Sequence, residues 1–270
     1  MRPLALHQIT AMEASPPDLL TIASQVGCQH ACVFTHLPMP NVPFPAVTKA
    51  MVGDMRARMG ATGVGVSNIE YFPLTADVDL SAFLYALDIG AEMGAHRLVT
   101  HIHDTDDNRA ADNLAKLSAL AAERELQVGL EFMGLTPANA SIARAVRFID
   151  LAGKPANAGI AIDCLHLVRT GGTPADVAAV PSEYFSYAQL CDGPDLSVQA
   201  DYLAEAMNRM VPGEGVFPIA AILDAMPEAT AVDVEVPSLT GQQQGIPALE
   251  RARRAVEAGR RLMEAARPRR

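Results

Sequence analysis

The sequence lacks tryptophan and has few aromatic residues, which make up 5% of its 270 residues. Extended stacking on a polysaccharide is therefore not expected. Its four cysteines form no C-x-x-C pair, which argues against a thiolate metal site and a disulfide framework and favours reduced thiols in a cytoplasmic protein. No run approaches the roughly 20 apolar residues that a bilayer span needs. The amino-terminal apolar stretch is broken by His7, Gln8 and Glu13, so no signal peptide is predicted either.

The sequence also has fewer basic residues than acidic ones. The chain has 21 Lys and Arg against 31 Asp and Glu, a formal net charge of −10. Such a chain repels phosphodiester backbones, and nucleic acid is not an expected partner. No G-x-G-x-x-G or P-loop sequence follows any apolar run, which disfavours a nucleotide-binding open sheet. A small-molecule ligand is the expected partner.

The composition that remains is that of a folded α/β protein. Half of the residues are hydrophobic and 19% are charged. Eight short apolar runs alternate with stretches of helical periodicity, which predicts a single-domain (β/α)₈ TIM barrel over residues 1–270, with a doubly wound open sheet as the alternative. A C-terminal helix is expected over about 246–266, with a basic tail at 267–270, and a homo-oligomer is compatible with this reading. The runs are Leu4 to Thr10, Ala31 to His36, Gly63 to Ile69, Arg97 to His103, Val128 to Met133, Ala158 to Leu165, Phe185 to Cys191 and Ala231 to Val236.

Polar residues collect at the carboxyl ends of these runs, where TIM barrels carry their catalytic groups. This distribution favours an enzyme. His7, His101 and His103 end the first and fourth runs, and we expect them to bind substrate hydroxyls or to be buried structural histidines. The proline-rich stretch from His36 to Phe44 is expected to form a wall that determines specificity.

Four oxygen donors are predicted to converge at the barrel mouth. Period-two alternation turns Glu131, Asp163, Gln189 and Glu235 toward the barrel interior. Three carboxylates and an amide are hard ligands that suit a divalent metal, with Mn²⁺ preferred, Mg²⁺ or Co²⁺ as alternatives, and Zn²⁺ not favoured. The competing interpretation is that these acids are solvated strand ends. The excess negative charge needs a cation, for which the candidates are Arg169, His166 and Arg209.

The second half of the chain contains four distinctive motifs: IDCLHLVRTGG from Ile162, YAQLCDGP from Tyr187, VPGEG from Val211 and VEVPS from Val234. With these motifs the chain resembles the xylose isomerase-like barrel superfamily. This superfamily contains sugar isomerases and epimerases, dehydratases and abasic-site endonucleases. The resemblance implies one divalent metal held by Glu131, Asp163, Gln189 and Glu235, with Gln189 standing where the family usually has histidine. It implies further that His166 contacts substrate and that Glu131 and Glu235 shuttle a proton.

The expected function is that of a divalent-metal-dependent isomerase or epimerase. It would act on a small sugar or related polyhydroxy carbonyl compound through a metal-stabilised enediolate. A dehydratase or lyase of a keto-polyol or keto-acid on the same scaffold is the alternative, because fold does not fix reaction. A non-catalytic ligand-binding subunit and an abasic-site endonuclease are weaker alternatives. Arg209 is the main candidate for binding a substrate anion, but no basic loop predicts a phosphate site.

Overall fold

Eight parallel strands close into a barrel in chain order, with β1 pairing to both β2 and β8. The computed structural model describes residues 2–37, 42 and 44–266. The predicted (β/α)₈ TIM barrel is confirmed. Its strands are β1 Leu4–His7, β2 His30–Phe34, β3 Gly65–Leu74, β4 Arg97–Ile102, β5 Gln127–Glu131, β6 Ala158–Asp163, β7 Phe185–Leu190 and β8 Ala231–Val234.

Helices cover the outside of the barrel and bury its aliphatic outer face in one large hydrophobic core. They are α1 Pro16–Gln25, α2 Val52–Thr62, α3 Leu84–Glu92, α4 Asp107–Ala122, α5 Ile142–Leu151, α6 Cys164–Arg169, α7 Pro174–Ala178, α8 Leu203–Ala206, α9 Ile219–Asp224, α10 Leu239–Gln243 and α11 Ala248–Ala265. Within the described residues, no helix combines the length and apolar character needed to cross a bilayer.

Several strand boundaries differ from the sequence prediction, two of them for clear local reasons. Strand β3 continues to Leu74, five residues beyond the predicted end at Ile69, because its pairing with β4 resumes after an irregularity. Strand β6 stops at Asp163, whose side chain accepts the amide hydrogen of His166 and caps α6. His166 therefore lies in the first turn of a helix and not at the end of a strand.

The barrel interior is filled by a small apolar layer and a polar chain. Val99, Ala161 and Tyr187 form the apolar layer. Below it, Arg97 donates to Asn68 Oδ1 at 2.8 Å, and Asn68 donates to Asp233 Oδ2 at 2.5 Å. These polar groups bond to one another inside the barrel, although Arg97 Nε and Asp233 Oδ1 have no hydrogen-bond partner among the described residues.

The chain ends are fastened to the barrel. Helix α11 lies within the predicted range and packs on the body through buried Ala252, Ala255 and Val256. The tail at 267–270 lies outside the described residues, as does most of the proline-rich stretch that was predicted to form a specificity wall.

Candidate active site

The four predicted oxygen donors lie together at the carboxyl end of the barrel. Glu131 and Asp163 are the last residues of β5 and β6, Gln189 is next to last in β7, and Glu235 follows β8 directly. Each residue is at most 5% exposed. Parallel strands with period-two alternation deliver these side chains to one side of the barrel mouth, where water cannot solvate them fully.

Arg209 connects two of the carboxylates. Its Nη1 donates to Asp163 Oδ2 at 2.5 Å, and its Nη2 donates to Glu235 Oε1 at 3.1 Å. Gln189 Nε2 donates to the other oxygen of Glu235. Arg209 comes from the long excursion between β7 and α9, where its main chain bonds to Pro237 beyond β8. Of the three candidate cations, Arg209 is the one that binds the carboxylates.

Arg169 and His166, the other two cation candidates, do not supply the balancing charge. Arg169 pairs with Glu205 and Asp195 in the excursion after β7. His166 is neutral at physiological pH, because burial lowers its pKa to about 4 against the attraction of Asp163. The predicted balancing charge therefore comes from Arg209 alone among these three residues.

The carboxyl groups of the three acidic residues have different pKa values. Burial raises the pKa of Asp163, but the Arg209 guanidinium and the His166 amide outweigh it and bring the value to about 2. Burial, supported by the charge of Asp163, raises the pKa of Glu235 to about 7. Burial and the charges of Asp163 and Glu235 raise the pKa of Glu131 well above its ordinary value. Proton-transfer sites combine carboxyls of this kind.

Glu131 is faced by two imidazoles. His101 Nε2 lies 3.2 Å from Glu131 Oε2, and His166 Nε2 lies 3.3 Å from Oε1. Burial and the neighbouring histidines lower the pKa of His101 well below its ordinary value, so this ring is neutral as well. His103 lies farther out, where its Nε2 is 2.7 Å from the Tyr71 hydroxyl.

The four donors fit a divalent cation. When all three carboxyls are ionised, as metal binding requires, three negative charges against one guanidinium leave two in excess, which matches the charge of such an ion. Gln189 Oε1 is buried without a hydrogen-bond partner among the described residues, so an oxygen ligand is available there. One potential ligand atom each from Glu131, Asp163 and His166 also lies within 4.8 Å of the other two.

A second polar cluster lies across the mouth, on β1 to β3. His7 Nε2 lies 2.9 Å from Glu70 Oε1, which also accepts a hydrogen bond from the Cys32 thiol at 3.3 Å. His7 Nδ1 lies 3.3 Å from the amide nitrogen of Ile9; although burial lowers the pKa of His7, the carboxylates of Glu70 and Glu235 outweigh it and raise the value to about 9. Although these three residues are close enough to share a metal, they are arranged as a hydrogen-bonded cluster.

Sequence reasoning missed three residues of this site. The sequence alone predicts no role for Glu70, Tyr71 or Tyr202. Tyr71 packs against His101 with ring centroids 4.4 Å apart, and the Tyr202 hydroxyl is 2.8 Å from His166 Nδ1. Tyr202 carries no motif signal because it lies in an irregular stretch after β7. Tyr71 could have been found only by extending β3 beyond its apolar run.

A family model for the xylose isomerase-like TIM barrel matches residues 20–265. The chain belongs to this family. The IolI protein, whose crystal structure contains a zinc atom, superposes with a TM-score of 0.80 at 16% identity and covers 98% of this chain and 99% of its own. An L-ribulose 3-epimerase gives a TM-score of 0.73 at 17% identity, with 99% and 96% covered.

A curated relative is similar in sequence over part of the chain. The 3-dehydroshikimate dehydratase of Pseudomonas aeruginosa is 31% identical over 114 residues, which is 42% of this chain but only 18% of the dehydratase. A xylose isomerase-like barrel fused to a 4-hydroxyphenylpyruvate dioxygenase superposes with a TM-score of 0.78 at 15% identity, covering 100% of this chain and 45% of the fusion protein. The proteins that resemble this chain thus include an epimerase and a dehydratase.

Proposed function

We propose that this protein is a divalent-metal-dependent isomerase or epimerase of a small polyhydroxylated carbonyl compound. The observation that carries the proposal is the convergence of Glu131 and Glu235 on Asp163 and Gln189 in a buried cluster. Removal of a proton next to a carbonyl requires a base near the carbon and positive charge near the oxygen. The cluster offers carboxylates for the first task and a cation site for the second.

The two glutamates are the proposed proton carriers. Glu235, whose buried carboxyl has a pKa of about 7 in the metal-free cluster, is one proposed proton carrier. Glu131 holds its proton more strongly and lies between His101 and His166. A substrate carbon between the two would exchange a proton with one or both of them, which would give isomerisation or epimerisation.

Glu131, Asp163, Gln189 and Glu235 are the residues that would hold the metal. When bound, a divalent cation supplies the charge that makes a carbon-bound proton acidic enough for a carboxylate to remove. Their oxygen chemistry favours Mn²⁺, with Mg²⁺ and Co²⁺ as alternatives. The zinc atom bound by the IolI protein makes Zn²⁺ a competitor to be measured. We assign His7, His101, His103, His166 and Arg209 to substrate binding.

A dehydratase is the second candidate, because the curated relative with 31% identity is a 3-dehydroshikimate dehydratase. Loss of a β-hydroxyl begins with the same proton abstraction and differs in its second step, in which an acid protonates the departing hydroxyl. The buried Arg209 guanidinium would suit a substrate that carries a carboxylate. Its neighbours Asp163 and Glu235 are both proposed metal ligands.

Metal content and proton exchange test this proposal. We expect about one divalent ion per chain and loss of activity on chelation. In D₂O, a panel of ketoses, ketose phosphates and hydroxylated keto-acids should reveal a substrate that gains deuterium next to its carbonyl. Glu235→Gln should lower that exchange by roughly 10²–10⁴-fold at saturating Mn²⁺. The matched control is Glu214→Gln, an exposed glutamate paired with Arg254 on the surface.

The product then distinguishes the two candidates. An isomerase or epimerase gives a product that differs in mass from its substrate only by the deuterium label. A dehydratase gives a product 18 mass units lighter, with a new ultraviolet absorbance from the enone. Full activity in chelator, or turnover without deuterium uptake and without water loss, would contradict the proposal.

A further inference from the structure

Tyr202 connects a backbone amide to the ring of His166. The Gly134 amide, in the loop after β5, donates to the Tyr202 hydroxyl oxygen at 2.8 Å. The same oxygen lies 2.8 Å from His166 Nδ1. Tyr202 is 2% exposed, so water competes little for either contact. The loop after β5, helix α6 and the stretch after β7 therefore meet at one phenol.

The hydrogens of this chain can be placed by counting donors and acceptors. A backbone amide can only donate, so the phenol oxygen of Tyr202 accepts from Gly134. The single hydrogen of the phenol is then available for His166 Nδ1, which is the other polar atom at hydrogen-bond distance. In this arrangement every hydrogen is used, and Nδ1 is an acceptor. The ring hydrogen of the neutral imidazole consequently lies on Nε2.

We propose that Tyr202 is a positioning residue that fixes His166 in the tautomer with its hydrogen on Nε2. His166 then offers a hydrogen-bond donor to Glu131 and to an oxygen of the substrate, where the other tautomer would offer a lone pair. This assignment makes His166 neither a metal ligand nor a general base. It deepens the proposed function, and rests on it for the statement that His166 meets substrate.

The surrounding packing is shaped for this contact. A side-chain carbon at Gly134 would come within 3.1 Å of Tyr202 Cε1 and 3.2 Å of Thr170 Cγ2. These distances are shorter than ordinary van der Waals contact. Glycine therefore allows the amide to approach the phenol, and a larger residue would push Tyr202 away from His166.

Nitrogen-15 NMR of histidine-labelled full-length protein tests the tautomer without any substrate. The signal of His166 is assigned by its loss in His166→Gln. We expect Nε2 to give a protonated, pyrrole-type signal and Nδ1 an unprotonated, pyridine-type signal, both without added metal and with Mg²⁺, which is diamagnetic. A hydrogen on Nδ1, or displacement of the Nε2 hydrogen by Mg²⁺, would overturn the assignment of His166.

Tyr202→Phe tests whether the phenol sets this tautomer. We expect the two nitrogen signals to shift toward each other as the tautomers mix, whereas unchanged signals would refute the role of Tyr202. The matched control is Tyr184→Phe, which removes a phenol that bonds to Asp150 at the opposite end of the barrel. Should Tyr202→Phe not fold, Gly134→Ala displaces the phenol by packing and is expected to mix the tautomers. Since no measurement here requires turnover, failure of the tautomer assignment and failure of the proposed reaction are distinguishable.

Discussion

Gln189 supplies an uncharged side chain where the rest of the proposed ligand set is anionic. Its Nε2 bonds to Glu235 while its Oε1 has no partner among the described residues. An amide oxygen is a hard ligand, whereas imidazole nitrogen binds Zn²⁺ and Co²⁺ more readily. The residue at this position should therefore tune which metal the site prefers.

We predict that Gln189→His leaves the protein folded and shifts its metal preference from Mn²⁺ toward Co²⁺ and Zn²⁺. Competition titrations of both proteins measure the shift, and an increase of about tenfold in relative Zn²⁺ affinity would equal roughly 1.4 kcal/mol. Gln199→His, on the surface after β7, serves as the control for an added histidine. Identical selectivity in wild type and Gln189→His would show that Gln189 is not a ligand.

Asp233 predicts a pH dependence of stability. Burial raises its pKa from 3.8 to about 6 in the folded protein, against the opposing charges of His7 and Arg97. The folded state keeps this proton over a range in which the unfolded state has lost it. The stabilisation is therefore complete below about pH 4 and is lost as the pH rises to about 6, a change of about 3 kcal/mol.

Asp233→Asn should remove this dependence while keeping the bond to Asn68. Urea unfolding between pH 4 and 6.5 is expected to show the variant gaining stability relative to wild type as the pH rises. Asp112→Asn, on the exposed face of α4, should follow the wild-type curve at all pH values. Parallel curves for wild type and Asp233→Asn would contradict the raised pKa.

Much of the candidate site was predictable one residue at a time, because strand parity alone turns Glu131, Gln189 and Glu235 inward. What parity cannot provide is the partner of each group. Arg209 reaches Asp163 and Glu235 through an irregular excursion, and Tyr202 reaches His166 the same way. Contacts between residues this far apart in the chain produce no periodic pattern in the sequence.

At the level of elements, β6 and β7 approach each other unusually closely at Gly159. Their register shifts just after this residue, between Ile160 and Ala161. A side-chain carbon at Gly159 would lie 2.8 Å from the Tyr184 carbonyl oxygen and 3.0 Å from the Ser186 amide nitrogen. Backbone atoms cannot move aside as a flexible side chain can, so this position requires glycine.

We predict that Gly159→Ala lowers the free energy of unfolding by about 2–3 kcal/mol through overpacking. Gly60→Ala in α2 is the matched control, because nothing lies within 4 Å of the added carbon there. That control should instead stabilise the protein by about 0.5–1 kcal/mol. Chemical unfolding measures both values, and equal effects of the two substitutions would refute the close approach of β6 and β7.

Element boundaries were predictable where a cap or a turn marks them. Thr173 and Asp176 form a capping box at α7, and Ser15 caps α1, as their sequences indicate. The end of β6 was missed because Asp163 acts both as the last strand residue and as the cap of α6. Helix α2 starts at Val52, after a 3₁₀ turn, and not near Pro45 where helical spacing begins.

At the scale of the whole molecule, the barrel closes at the seam where the first strand pairs with the last strand. Arg2, 6% exposed, donates to four backbone carbonyls around the end of α9 and the turn into β8. The amino-terminal segment is thereby fixed beside β8. Removing the guanidinium would take a donor from all four carbonyls; those of Leu223 and Pro227 also accept a backbone amide hydrogen, whereas those of Met226 and Thr230 depend on Arg2.

We predict that Arg2→Leu lowers the free energy of unfolding by about 2–4 kcal/mol, because it leaves buried carbonyls unpaired. Arg56→Leu, on the exposed side of α2, should change it by less than about 0.5 kcal/mol. Urea denaturation of the three proteins provides the comparison. A loss below 1 kcal/mol for Arg2→Leu would mean that the seam does not depend on this side chain.

Some properties of the whole molecule stay predictions. The net charge of −10 keeps nucleic acid outside the expected partners. The cytoplasmic location rests on cysteine usage alone, and self-association rests on no particular contact. Fractionation of cells and sedimentation of the purified protein would measure these two properties.

All four proposed ligands come from the second half of the barrel, between residues 131 and 235, whereas His7, Glu70 and His101 come from the first half. The proposed metal ligands are thus encoded in one contiguous stretch together with His166 and Arg209, whereas the other proposed substrate contacts, His7, His101 and His103, precede it. A chimera that joins residues 1–125 of another family member to residues 126–270 of this protein should retain the metal site and acquire a different substrate range. The β4–β5 connection is the natural crossover point for such recombination.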